Sequence, residues 1–395
     1  MKPAPEARRV AVTGVGVLAA CGIGRDAFWA GLLAPQPTAE RRILRFEPEQ
    51  HFPNPKEAKR TDRFAQIALA AAEEALAQAG DVGVDPTRRA VLLGTGVGGL
   101  ETLETQIITR HEKGERRVSP FLVPMMMSNA ASAALSMRYG WQGPCETTVT
   151  ACAAATHAIG NAARLIANGR CDAALTGGSE AAMTITGMAG FRNMTALSSS
   201  GVSRPFDAER DGFVMSEGAA VLVLEEWTAA EARGATILAE VLGAGSTADA
   251  HHITAPSPGG SGAITCMEQA LADAGLAPSD IVHINAHGTS TPLNDAAEAE
   301  AISKLFGTPG PIVTSTKGVT GHALGAAGAL EAAAVVLSMA NGLIPPTDGT
   351  KAVDAALPQI DVVLNEARPW TPGPSLSNSF GFGGHNGCLV LAPPS

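Results

Sequence analysis

A layered α/β protein is what this sequence predicts, and three observations carry that reading. Short β-like aliphatic runs alternate with Ala-rich helical runs along the chain, the pattern of strands covered by helices. Two helical runs, around Ala153 and Ala323, are almost wholly small and apolar, so they have little polar face to offer water and belong inside. Glycine supplies 44 of 395 residues and aromatic residues only 4%, so packing rests on Ala, Val, Leu, Ile and Met with backbones close together.

In chain order, strands are expected at Arg9 to Val12, Ala90 to Leu93, Ala173 to Leu175, Ala219 to Leu224, Thr236 to Val241, Ile281 to Asn285, Val362 to Leu364 and Cys388 to Leu391. Helices are expected at Asp62 to Ala79, Ala154 to Asn168, Gly262 to Ala274 and Ala323 to Asn341. There is no short-period repeat and no low-complexity linker. The charged stretch Ala229 to Ala235 divides the chain into 1–235 and 236–395. Each side is long enough for one α/β unit, giving a doubled core.

A formal charge of −10 argues against a broad nucleic-acid surface, which needs clustered Lys and Arg to neutralise phosphates. The six cysteines are scattered, with no CxxC pair, so neither a disulfide framework nor a structural metal is expected. No metal, flavin or nucleotide cofactor is expected either. The N-terminal MKPAPEARR has charge and proline where a signal peptide has an apolar core. No uninterrupted apolar stretch approaches the roughly 20 residues of a membrane span, so a cytoplasmic protein with no membrane partner is expected.

Three motifs carry chemistry. In Thr150-Ala151-Cys152-Ala153-Ala154-Ala155-Thr156-His157, Cys152 precedes a run of good helix formers. A helix N-terminus offers unpaired N–H groups and a dipole that favour a thiolate; a small buried cysteine is the plain alternative. Asn285-Ala286-His287-Gly288-Thr289-Ser290-Thr291-Pro292 follows an apolar strand, which places His287 at the carboxyl edge of a sheet, where α/β enzymes build sites. A solvated loop histidine is its alternative. Ser315-Thr316-Lys317-Gly318-Val319-Thr320-Gly321-His322 runs into an apolar helix; a Lys and a His there need partners if buried, or else decorate a surface loop. The Gly-rich Asn378-Ser379-Phe380-Gly381-Phe382-Gly383-Gly384-His385-Asn386-Gly387 lets backbone N–H groups approach a reacting centre. One Cys and two His supply a nucleophile with two proton carriers. The runs Gly14-Val15-Gly16 and Gly94-Thr95-Gly96-Val97-Gly98-Gly99 loosely echo dinucleotide fingerprints, a weak signal.

Together these segments resemble the β-ketoacyl-acyl carrier protein synthases of the elongating type, most closely synthase II, from Val10 to Leu391. The resemblance implies a thiolase-like fold, two similar halves in a five-layered α-β-α-β-α core, usually a homodimer. It implies that Cys152 takes an acyl group from acyl carrier protein, and that His287 and His322 promote decarboxylation of the malonyl carrier and steady its enolate. It further implies an oxyanion hole of the Cys152 and Phe382 N–H groups, a gate of Phe380 and Phe382, and structural-electrostatic roles for Lys317 and Glu331. Thr289 and Thr291 match pantetheine-binding hydroxyls. Leu122, Met125, Met126, Gly187 and Phe191 match the acyl pocket, and Lys56, Lys59, Arg60, Arg63, Arg116 and Arg117 a basic face for an acidic carrier.

The sequence departs from the family between Leu197 and Arg204, where SSSGVS is shorter than the usual loop, and at Thr195, where synthase II often has Arg. This puts carrier and substrate identity in doubt. The alternative within the family is a polyketide or polyene ketosynthase paired with a chain-length-factor subunit.

Overall fold

The computed structural model describes residues 7–34, 41–308 and 310–395. Residues 1–6 of the segment weighed against a signal peptide, and of the 1–235 half, lie outside the described residues. The alternation resolves into β1 (Val10–Ala19), β2 (Arg89–Gly94), β3 (Cys145–Thr148), β4 (Ala173–Glu180), β5 (Gly218–Glu226), β6 (Ala239–Ala248), β7 (His283–Asn285), β8 (Ile312–Thr314), β9 (Asp361–Val362), β10 (Ser375–Gly381) and β11 (His385–Ala392). They hydrogen-bond in the order β9-β8-β7-β10-β11-β6-β1-β5-β4-β2-β3.

That order repeats itself about the central β6–β1 pair. Outward from β1, the neighbours β5 and β4 join antiparallel, then β2 and β3 parallel. Outward from β6, β11 and β10 join antiparallel, then β7 and β8 parallel. The two halves meet where β1 pairs with β6 at Ala11–Glu240 and Val12–Ala239. Arg9 locks this joint with a two-pronged bond to Glu240 (2.8 and 2.6 Å) while stacking over Trp227 at 3.6 Å, the planar fork that Arg alone can offer.

Four helices build the layers: α1 (Arg63–Ala79), α2 (Ala154–Ala167), α3 (Ser261–Ala274) and α4 (Ala327–Asn341). Asp62, the expected first residue of α1, caps it by accepting the Phe64 N–H at 3.1 Å. Helix α1 covers the outer face of the first half and α3 that of the second. The mostly apolar α2 and α4 lie between the two sets of strands in the central core; α4 is buried almost throughout, whereas α2, expected to be buried on all sides, exposes Asn161 and half-exposes His157 and Arg164. The stretch Leu324–Asn341 has a mean hydropathy of 1.4 over 18 residues and is 83% buried inside this core.

Several boundaries differ from expectation. The strand expected at Arg9 to Val12 continues to Ala19 because Gly14 and Gly16, which break the apolar run, let α1 press onto it. A Cβ at these positions would fall 2.2 Å from the Ala75 carbonyl oxygen and 1.9 Å from that of Ala71. These glycines serve packing, which displaces the dinucleotide reading. The strand expected at Thr236 to Val241 starts at Ala239 and runs to Ala248, and that expected at Ile281 to Asn285 begins at His283. The strand at Val362 to Leu364 is Asp361–Val362, and Ala323 to Asn341 opens with a separate turn, Leu324–Ala326, before α4.

Candidate active site

The repeat brings the first turns of α2 and α4 together, and the chemistry collects there. Cys152 sits in a one-turn 3-10 helix, Ala151–Ala153, just ahead of α2. Its predecessor Ala151 has φ +50°, a left-handed conformation that a residue with a side chain rarely adopts and that marks local strain. His322 is pinned on both sides by the first half of the chain: its N–H donates to the Val214 carbonyl at 2.7 Å and its carbonyl accepts from Ser216 at 3.0 Å. His287 follows β7, and Lys317 opens the short helix Lys317–Thr320.

These residues meet in a cavity of about 370 Å3 lined from both halves, by Val97, Cys152, Phe191 and Phe213 on one side and His287, His322, Phe380 and Phe382 on the other. His322 Nε2 lies 3.0 Å from Cys152 Sγ, and the two imidazoles stand edge to face with centroids 5.3 Å apart. The Phe382 N–H and that of Cys152 itself approach the thiol, as an oxyanion hole requires. Thr289 and Thr291 share a hydroxyl–hydroxyl bond of 2.9 Å at the cavity wall. Phe380 lies edge-on to His287 at 6.0 Å.

Behind the imidazoles lies a buried ion pair. The Lys317 ammonium bonds to Glu331, donates to the His287 carbonyl at 2.7 Å, and reaches His287 Nδ1 at 3.2 Å. An ammonium can only donate, so Nδ1 accepts and the ring proton sits on Nε2, inside the cavity. Burial first, then the Lys317 charge and His322, hold His287 well below its ordinary 6.5; burial and Lys317 do the same to His322. Both are neutral at physiological pH. Burial pushes the Glu331 carboxyl up while Lys317 pulls it back down.

The thiol corrects one expectation. Burial pushes Cys152 up to about 11, outweighing the lowering by Lys317 and the Phe382 N–H, so the resting group is a thiol. Its activation needs a base, and the neutral His322 Nε2 is in place. Sulfur and imidazole nitrogens of Cys152, His287 and His322 all lie within 4.8 Å of one another, a spacing that a soft metal ion could also bridge.

Other expected residues divide. Phe191 lines the cavity, whereas Leu122, Met125, Met126 and Gly187 do not border it within this chain. The Leu122–Met126 helix has no buried residue, and Gly187 faces Ala182 and Leu100. Lys56, Lys59, Arg60, Arg116 and Arg117 are exposed, but Arg63 turns inward and grips Glu217 at 2.8 and 2.7 Å. Its charge is spent in the fold. In the short loop, Ser198, Ser199 and Ser200 all donate to Asp211, and Thr195, at φ +56°, lines the cavity beside it.

Two of the buried carboxylates that the sequence did not single out hold backbone beside the cavity. Glu298 accepts from the N–H groups of His287 and Gly288, both at 2.8 Å, and burial raises it to about 7. Its signal was present: Asp295, Glu298, Ala299 and Ile302 recur at helical spacing on one face of Pro292–Phe306, all buried. Glu180 accepts from Thr95 Oγ1 and from the Gly96 and Gly325 N–H groups, tying the two cavity walls together. Ending a strand of mixed composition, it carried no such signal.

Comparison with known proteins agrees with this architecture. Residues 34–230 match the β-ketoacyl synthase N-terminal domain and residues 238–351 the C-terminal domain. The chain belongs to the β-ketoacyl synthase family. A 3-oxoacyl-[acyl-carrier-protein] synthase 2 of Synechocystis sp. is 43% identical over 98% of each chain, and one of Staphylococcus aureus is 41% identical over 97% of this chain and 98% of its own. Among solved structures, the ishigamide ketosynthase/chain length factor superposes with a TM-score of 0.92 at 33% identity, covering 98% of this chain and 100% of the other. A β-ketoacyl synthase from Burkholderia phymatum gives 0.90 at 34%, with the same coverage. The fold is the thiolase-like one of these ketosynthases.

Proposed function

We propose that this protein is a 3-oxoacyl-[acyl-carrier-protein] synthase that performs a decarboxylative Claisen condensation in fatty-acid elongation. The observation that carries the reading is the buried Cys152–His322 contact of 3.0 Å with His287 beside it. His322 takes the thiol proton as Cys152 attacks the thioester of an acyl carrier protein, and the pantetheine thiol leaves with a proton. Malonyl carrier then loses CO2, and its enolate oxygen meets the His287 Nε2–H and His322. The enolate carbon attacks the Cys152 thioester, the Cys152 and Phe382 N–H groups hold the oxyanion, and collapse expels the Cys152 thiolate, which takes a proton from solvent, giving 3-oxoacyl carrier and restoring the thiol. His287 donates its Nε2–H to the enolate, and His322 does so in its Nε2–H tautomer, the alternative to the Nε2-accepting form that takes the thiol proton; with both rings neutral, neither traps the enolate as an ion pair.

In this reading Lys317 and Glu331 keep the imidazoles neutral and oriented, Thr289 and Thr291 hold the pantetheine arm, and Phe380 with Phe382 gates the cavity. The chain is a doubled unit divided at 235/236, working in the cytoplasm without metal or cofactor. An acyl carrier protein docks on the exposed basic residues. A partner subunit covers the Leu122–Met126 helix, bringing Leu122, Met125 and Met126 to the acyl pocket, with Gly187 behind Phe191. A second reading, a polyketide or polyene ketosynthase paired with a chain-length-factor subunit, is favoured by the shortened loop between Leu197 and Arg204 and by the likeness to ketosynthase/chain length factor structures.

Intact-mass analysis of carrier-bound products from a panel of acyl primers and malonyl carrier tests both. Condensation by the protein alone is expected. Its absence, with recovery on adding a chain-length-factor-like subunit from the same genome, supports the second reading, and loss of all product formation in both settings refutes the two together. Cys152→Ala is expected to abolish condensation.

A further inference from the structure

His157 lies on the first turn of α2, close behind the nucleophile, yet has no part in the chemistry above. Its ring joins the two halves of the chain. Nδ1 lies 2.8 Å from Thr150 Oγ1, while Nε2 lies 3.0 Å from the Asn386 carbonyl and 3.2 Å from Ser246 Oγ. A carbonyl can only accept, so Nε2 carries the proton and Nδ1 accepts the Thr150 hydroxyl. Burial, the largest influence, holds this imidazole below its ordinary 6.5, so a single neutral tautomer is maintained at both contacts.

Both ends of this bridge adjoin the oxyanion donors. Thr150 precedes the strained Ala151 and the Cys152 N–H, and the Ala153 N–H closes the same turn onto the Thr150 carbonyl at 3.1 Å. Asn386 sits on β11, just past the turn that carries the Phe382 N–H, and its side chain is fixed to Asp249 at 2.7 Å. Gly387 makes room for the ring: a Cβ there would stand 3.1 Å from His157 Nε2. The strained turn and the hairpin come from opposite halves, and the His157 ring hydrogen-bonds to both.

We infer that His157 is a positioning residue that holds the Cys152 turn and the Phe380–Asn386 hairpin in register, so that the two N–H donors converge on one oxyanion. The inference rests on the condensing reaction proposed above. It separates steps that build a tetrahedral oxyanion from steps that do not. Thioester transfer to Cys152 and condensation depend on the register; alkylation of the Cys152 sulfur by iodoacetamide, a direct displacement, does not.

The test compares His157→Phe, which keeps a flat ring without nitrogens, and His157→Gln, whose amide keeps both an acceptor for the Thr150 hydroxyl and a donor for the Asn386 carbonyl, with the wild type. Misplacing a reacting group by about 1 Å lowers rates about a hundredfold. His157→Phe is therefore expected to lose about ten- to a hundredfold in kcat for condensation, with KM for malonyl carrier within about twofold. Iodoacetamide should still label Cys152 stoichiometrically at a rate within about threefold of wild type, and His157→Gln should recover most of kcat. Should His157→Phe fail to fold, Thr150→Val severs the same bridge at its other end, with the same pattern expected. Wild-type kcat in a folded variant overturns the inference. So does a fall in alkylation equal to that in kcat, or equal losses in the Phe and Gln variants, since each marks a general role in packing. A wild-type protein that alkylates at Cys152 but condenses nothing overturns the functional reading instead.

Discussion

Lys317→Met probes the electrostatics of the site most directly, because methionine fills similar space without the charge. The Lys317 Nζ lies 3.2 Å from His287 Nδ1. Two unit charges at that distance interact by about 5 kcal/mol at an effective dielectric of about 20. Glu331 binds the same ammonium and cancels part of that field, so the net effect of the cation, smaller than this bound, is to hold both imidazoles down. Without the cation they protonate at higher pH. The acid limb of kcat/KM therefore moves upward.

The same substitution leaves Glu331, 2% exposed, as a buried carboxylate without its partner. Breaking such a pair destabilises by about 3–5 kcal/mol. In the variant the folded carboxyl titrates above its unfolded value, pushed up by burial with no cation to oppose it. Its contribution to stability is fully present below the unfolded pKa and is lost as pH rises through the folded one. The variant should thus be markedly less stable at pH 8 than in mild acid. The double variant Lys317→Met/Glu331→Gln should recover most of the stability while keeping the displaced acid limb. Urea unfolding at the two pH extremes and a pH series of kcat/KM read both effects. Wild-type stability at pH 8 with an unmoved acid limb would refute the reasoning.

Two other perturbations follow from the geometry. Gly325→Ala would put a Cβ 2.1 Å from the Gly96 backbone nitrogen, where no flexible side chain can yield; a loss of at least about 1–3 kcal/mol is expected, visible as a lower thermal transition, and an unchanged transition would show the cavity walls are not closely apposed. Lys59→Glu and Arg116→Glu should raise KM for acyl carrier protein several-fold, less so at high salt, whereas Arg63→Ala should lower stability because Arg63 pairs with buried Glu217; carrier titrations alongside thermal melts distinguish the two.

The sequence by itself determined the layered α/β class, the burial of α4 and of most of α2, and the Cys152, His287 and His322 set. Periodicity and composition report burial, and the motifs are local in the chain. It did not reveal β10, whose Ser375, Ser377, Asn378 and Ser379 are buried despite their polarity, because hydropathy cannot foresee partners from distant segments. Nor could it show that Arg63 spends its charge on Glu217, since the two lie far apart in the chain. Only the tertiary structure decided the state of Cys152. A helix end favours a thiolate locally; the fold buries Cys152, raises it to about 11, and sets His322 Nε2 from the other half 3.0 Å from its sulfur. Desolvation and through-space contacts are properties of the assembled core, so residue order alone does not encode them visibly.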